Sequence, residues 1–189
     1  MEYEARSMIN ESQYEQILSD FKKKNNKKRF SVNSNTYFDY EDLYLTNHHM
    51  VLRTRSISEN QFELTLKVKG ENGDKEINHL LTFNEYKDIR ENVSFPNSLV
   101  KDELIKLGID LSKLKLIADL NTERLEIFYK NHIVVIDKNY FRNRMDYNVE
   151  VESISKKSAI FELNRHFSKY EVTYKKGYIS KSRRAIFDL

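Results

Sequence analysis

The sequence predicts a mainly β, α+β fold: antiparallel strands accompanied by a few helices. Two observations carry this. Several short segments alternate apolar and polar residues with period two, as strands do when they bury one face. Helical spacing and helix caps occur at only a few places, without the strand–helix–strand rhythm of a parallel sheet. The chain has 189 residues, 39% of them hydrophobic, and only 4 Gly and 1 Pro. That length supplies one sizeable core, and so little punctuation leaves no linker, so a single domain over residues 1–189 is expected.

Taken in order, Glu2, Glu4 and Arg6 alternate along a first strand. Tyr14, Ile17, Leu18 and Phe21 then recur at helical spacing, and the helix closes on the basic run Lys22-Lys23-Lys24 to Lys27-Lys28-Arg29, where cations suit a C-terminus. Only Phe21 and Phe30 flank that run, too few aromatics for a nucleic-acid platform, so it reads as a solvated helix end. Tyr37-Phe38 and Val51-Leu52 begin further strands, and Leu64, Leu66 and Val68 interleave with Glu63, Thr65, Lys67 and Lys69. Gly70-Glu71-Asn72-Gly73 reads as a hairpin turn. A helix is expected near Asn84 to Glu91, and another capped by Ser98 with Val100, Leu104 and Leu107 before Gly108. Ile133 to Ile136 is a β-branched run, Val149 and Val151 alternate with Glu150 and Glu152, and Ser155 caps a helix carrying Ile160, Leu163 and Phe167. In all, about eight segments read as strands.

Composition narrows the function. With no Cys, a disulfide framework, a thiol nucleophile and a Cys-ligated zinc site are excluded. No apolar run approaches the roughly 20 residues of a membrane span, and the acidic start MEYEAR does not read as a signal peptide, so a cytoplasmic location is expected. The net charge is +3, from 32 Lys+Arg against 29 Asp+Glu, so arrangement matters more than the sum.

That arrangement is unusual. Glu2 and Glu4, Arg53 and Arg55, Lys67 and Lys69, and Glu150 and Glu152 each place like charges at i, i+2, on one face of a strand. A solvated face explains any one pair, but four on four strands point to a purpose. In a closed barrel the pairs would turn inward, setting four carboxylates beside Arg and Lys. Clustered carboxylates call for a hard cation such as Mg²⁺ or Mn²⁺, and the Arg and Lys call for anions, with phosphate oxygens matching guanidinium forks. A polyphosphate ligand follows. His48, His49, His79, His132 and His166 show no HExxH and no pair at helical ligand spacing, and read as structural or surface residues. No Walker A loop, GxGxxG or GxSxG is present.

These segments together resemble the CYTH, or triphosphate tunnel metalloenzyme, superfamily of thiamine triphosphatases, inorganic triphosphatases and class IV adenylate cyclases. Glu2-Tyr3-Glu4-Ala5-Arg6 is similar to its ExExK hallmark, Thr36-Tyr37-Phe38-Asp39 to its YFD strand, Leu52-Arg53-Thr54-Arg55 to LRxR and Leu64-Thr65-Leu66-Lys67 to LTLK. Thr122-Glu123-Arg124 resembles a TxR segment, Asp137-Lys138 precedes Asp146 to Glu152, which looks like the DYxxExE strand, and Lys181-Ser182-Arg183 is similar to a basic segment near the chain's end. The resemblance implies an eight-stranded antiparallel β-barrel tunnel with helices packed outside. It implies that Glu2, Glu4, Glu150 and Glu152 hold Mg²⁺ or Mn²⁺, and that Arg53, Arg55, Lys67, Arg124, Lys138 and Lys181, with Lys69, Arg183 and Glu76 as further candidates, line a triphosphate site. The implied activity is metal-dependent hydrolysis of inorganic, thiamine or nucleoside triphosphate. The alternatives are adenylate cyclisation or binding without turnover, by a monomer or homodimer with no nucleic-acid or membrane partner. Arg6 stands where the hallmark has Lys, the catalytic position; an arginine there orients water or phosphate but cannot serve as a base.

Overall fold

The computed structural model describes residues 3–70 and 75–189, so Glu2 and the turn residues Glu71, Asn72 and Gly73 lie outside the described residues. The elements run β1 (Tyr3–Ile9), α1 (Glu11–Lys23), β2 (Lys28–Asp39), α2 (Tyr44–Asn47), β3 (Met50–Ser58), β4 (Gln61–Val68) and β5 (Lys75–Leu81). They continue with α3 (Phe83–Asn92), α4 (Leu99–Lys106), β6 (Lys115–Phe128), β7 (His132–Tyr140), β8 (Met145–Ser153), α5 (Lys156–Phe167) and α6 (Lys181–Ile186). The strands form an eight-stranded antiparallel sheet in the order β1-β8-β7-β6-β2-β3-β4-β5, with β1 and β5 at its ends. This is the mixed fold with eight antiparallel strands that the sequence predicts. No helix among the described residues is long and apolar enough to cross a membrane.

The chain divides into two compact units, 1–32 with 122–179, and 33–121 with 180–189. In the first, α1 and α5 cover one face of the sheet. Asn10 and Gln13 form a capping box at the start of α1, each side chain accepting from the other's backbone N–H at 2.8 and 3.0 Å, and Lys22 and Lys23 fill its last turn. Ser155 caps α5 by accepting from Ser158 N–H at 3.1 Å. Between them Ile17, Phe21, Ala159, Leu163 and Phe167 bury against Ala5, Val149, Val151, Val134 and Ile136. Alternation then settles the other face: with Ala5 and Val151 turned to the helices, Glu4, Arg6, Glu150 and Glu152 must turn away from them.

The second unit repeats the logic. Phe38, Leu52, Leu64 and Leu66 bury against Ile89 of α3 and Val100 and Leu104 of α4. Thr82 and Glu85 box the start of α3, Ser98 caps α4, and Gly108 takes the positive φ of +75° that lets the chain turn just after α4. Arg53, Arg55 and Thr65 therefore occupy the face that these helices leave open.

Candidate active site

On the polar face of the first unit the strand register lines up charges in opposed pairs. Glu4 stands directly opposite Glu152 across β1 and β8, and Arg6 opposite Glu150. Like charges facing each other at cross-strand distance repel, so this face needs cations. Arg6 supplies one: its guanidinium pairs with Glu4 and reaches Glu150 Oε1 at 3.4 Å, and it lies 5.7 Å from the Tyr178 ring.

Arg124 supplies the other. Its Nε and Nη2 donate to the two oxygens of Asp137 at 2.8 and 2.9 Å, and Nη2 lies 3.4 Å from Glu150 Oε2. Burial would lower the Arg124 pKa, but Asp137 and Glu150 outweigh it and raise it. Asp137 is 0% exposed and Glu150 3% exposed, so these charges are tolerable only as a paired, hydrogen-bonded set. Asn148 donates to Asp137 at 3.3 Å and to Glu150 at 3.2 Å, Asn139 donates to Asn148 at 2.8 Å, and Thr122 donates to Asn139 at 3.0 Å. This chain of amides fixes where the Glu150 and Asp137 oxygens point.

The polar face of the second unit is cationic. Arg53 sits between Tyr37 and Thr65, and Arg55 between Asn35 and Glu63, each pair being its cross-strand partners. Arg55 Nε donates to Asn35 Oδ1 at 2.9 Å, whereas Arg53 Nε is buried and meets no hydrogen-bond acceptor among the described residues. Lys67 pairs with Glu76 across β4 and β5 at 2.6 Å. Although burial works against it, that lysine holds the Glu76 carboxyl below its ordinary range. Tyr37 is buried, and burial pushes its hydroxyl up despite Arg53, Arg55 and Arg184 nearby.

The remaining candidates divide. Lys138 is not brought to the face that carries Asp137: it pairs with Tyr147, on the helix-covered side of the sheet, with its ammonium 5.1 and 5.8 Å from the Tyr140 and Tyr147 rings. Strand alternation forces this, since adjacent residues point to opposite faces. Lys69 follows the end of β4 and is exposed. Lys181 opens α6 half-buried, while Arg183 is exposed with its guanidinium 5.0 Å from the Phe187 ring. The buried cation of that helix is Arg184, 4% exposed, which sequence reading passed over. Reading 181–186 as a helix would have found it, because Lys181 and Arg184 share a face at i, i+3 and Arg183 does not. Asp137, Asn139 and Asn148 were likewise passed over, although the alternation that selects Glu150 also selects Asn148.

Among the described residues, one group of three potential metal ligands converges: His132, Glu162 and His166. Among the described residues Glu4, Glu150 and Glu152 do not converge in that way; Arg6 bridges Glu4 and Glu150, and Arg124 lies against Glu150. Their donor set still fits a hard divalent cation, being all carboxylate oxygen, with Arg6 already placing positive charge between Glu4 and Glu150.

The CYTH domain model matches residues 1–184. The Bacillus subtilis (strain 168) protein YjbK, provisionally named a triphosphatase, is 30% identical over 153 residues, covering 81% of this chain and 77% of its own. A crystal structure from Bacillus halodurans, provisionally described as an adenylate cyclase, aligns with a TM-score of 0.83 at 27% identity, over 97% of this chain and 96% of that one. The Hippeastrum protein HpAC1, provisionally described as an adenylyl cyclase and said to reveal a dominant triphosphatase activity, aligns with a TM-score of 0.81 at 18% identity, over 97% of this chain and 94% of that one, and speaks to the fold alone. With the family model spanning nearly its whole length, this chain belongs to the CYTH domain family.

Proposed function

We propose that this protein hydrolyses a triphosphate with Mg²⁺ or Mn²⁺, the substrate being inorganic, thiamine or nucleoside triphosphate. The observation that carries the reading is the strand register within each unit: carboxylates face one another across β1 and β8 in the first, and Arg53 and Arg55 share one face of β3 in the second. Glu4, Glu150 and Glu152 would hold the metal, together with Glu2, and the ion when bound supplies neutralisation of phosphate charge.

Arg53 and Arg55 donate to phosphate oxygens and stabilise the charge that spreads over the transferred phosphoryl group. Arg53 Nε, which has no acceptor among the described residues, supports this, because a buried donor lacking an acceptor is costly and an anion would satisfy it. Arg124 and Lys67, each already paired to a carboxylate, and Lys181 add to the cation set. Arg6, paired with Glu4 and close to Glu150, orients these carboxylates rather than acting as a base.

YjbK's provisional name favours triphosphate hydrolysis, and the B. halodurans description keeps cyclisation as a second reading. The deciding experiment is steady-state phosphate release with Mg²⁺ or Mn²⁺ from inorganic triphosphate, thiamine triphosphate and ATP, with chromatography of the ATP products. Metal-dependent phosphate release, abolished in a folded Glu150→Gln variant, is expected. Cyclic nucleotide with pyrophosphate would establish the cyclase instead, and binding without turnover would make the protein a polyphosphate-binding module.

A further inference from the structure

We infer that His132, Glu162 and His166 form a second metal site, for a divalent first-row transition ion, with Zn²⁺ as the ion whose dimensions fit. The ligands come from two elements of the first unit: His132 opens β7, while Glu162 and His166 lie one turn apart on α5. His132 shares the helix-covered side of β7 with Val134 and Ile136, the side opposite Asp137, so this site is separate from the carboxylate face.

The spacing of the ligand atoms carries the inference. His132 Nε2 and His166 Nε2 are 2.9 Å apart, and Glu162 Oε2 stands 3.6 Å from the first and 3.7 Å from the second. A circle through three atoms so spaced has a radius of about 2.0 Å, the length of Zn–N and Zn–O bonds. An ion near its centre would bond all three with little movement and leave a further position open. A plain hydrogen-bonded histidine pair explains the first distance but not the other two. The carboxylate oxygen is too far from either ring to accept a good hydrogen bond, yet is almost equally far from both.

The surroundings suit soft-nitrogen ligation. Both histidines are 9% exposed, and the Tyr129 ring stacks on His132 at 4.6 Å with 7° between planes and lies 4.8 Å from His166. Burial first, then Arg165, lowers the His166 pKa, and burial lowers that of His132. Against the site stands Arg165, which holds Glu162 Oε2 at 2.6 Å and lies 3.4 Å from His166 Nε2. Its side chain is 52% exposed and is free to swing into solvent when an ion enters. Bound there, the ion would clip α5 to β7.

The test is Zn²⁺ binding by the intact chain, read by equilibrium dialysis with metal analysis and by the visible spectrum of added Co²⁺. Wild type should bind one equivalent that persists in Glu150→Gln, with tetrahedral-type Co²⁺ bands. Saturation should raise the melting temperature by about 5–10 °C at a hundredfold excess over Kd. Glu162→Gln and His166→Ala should each weaken this binding by at least the roughly 10–100-fold that outer partners of metal ligands cost. Arg165→Ala, a change at an exposed side chain, should tighten it, whereas a purely structural Arg165–Glu162 pair would leave it unmoved. Absence of stoichiometric Zn²⁺ from folded wild type and Arg165→Ala would overturn the inference, as would binding lost in Glu150→Gln but retained in Glu162→Gln.

Discussion

Arg124→Met tests the buried ion network that organises the first unit's polar face. Methionine fills comparable volume, so the change removes charge without opening a large cavity. It strips Asp137, 0% exposed, of a two-pronged partner at 2.8 and 2.9 Å, and strips Glu150 of a cation at 3.4 Å. Removing one member of a buried pair costs about 3–5 kcal/mol, because the surviving charge loses the cation it was paired with. For a chain of this size, that corresponds to a fall in melting temperature of roughly 6–20 °C. Asp137→Asn should cost less: Arg124 keeps Glu150 nearby, and its side chain, 20% exposed, retains some water. Because the two partners meet directly, the double variant should be more stable than the sum of the singles implies. Calorimetry and urea unfolding of the metal-free proteins measure all three. Losses within about 0.5 kcal/mol of wild type, the range of ordinary surface substitutions, would show that the network carries no net electrostatic stabilisation and refute the reasoning.

Three further outcomes are expected. Arg53→Ala should raise the triphosphate KM by about 10–100-fold, the worth of a charge-assisted hydrogen bond, while Lys23→Ala at the exposed end of α1 leaves it unchanged; equal effects would dissociate the second unit's cationic face from the substrate. Arg6→Lys should retain the wild-type shape of the pH–rate profile, and an alkaline gain would mean that an amine at this position deprotonates and acts as a base. Tyr14 and Tyr147, with rings 4.6 Å apart, have hydroxyl pKa values raised from 10 to about 12, burial first and Glu11 adding to it at Tyr147. The folded state then retains protons that the unfolded state releases, so stability should fall as pH rises from 10 towards 12. An absorbance titration in which every tyrosine ionises near 10 would contradict this.

The alternation at Leu64, Leu66, Val149 and Val151 was legible because each strand buries one face under helices, and that requirement writes period two into the sequence. The caps at Ser98 and Ser155 were legible because a hydroxyl satisfying an orphan amide is a local interaction. What local patterns do not contain is the pairing between distant strands. Arg124 and Asp137 find each other through β6 and β7, and His132 finds Glu162 and His166 through the packing of α5 on the sheet. Lys138 shows the opposite failure: its motif position was legible, but its place next to Asp137 in a strand already consigned it to the other face.

The same register argument changes the reading of Arg6. In sequence the position looks like a departure from the hallmark lysine that leaves the site without a base. In the structure its partners are carboxylates, Glu4 on its own strand and Glu150 directly opposite, and carboxylates favour the protonated form of any amine placed there. A lysine at this position would therefore stay charged, and Arg and Lys differ here mainly in geometry. The guanidinium touches both carboxylates at once, which a single ammonium does with less directional control. Exchange of lysine for arginine thus preserves the charge balance of the carboxylate face, and its consequence falls on how firmly Glu4 and Glu150 are held before a metal competes for them.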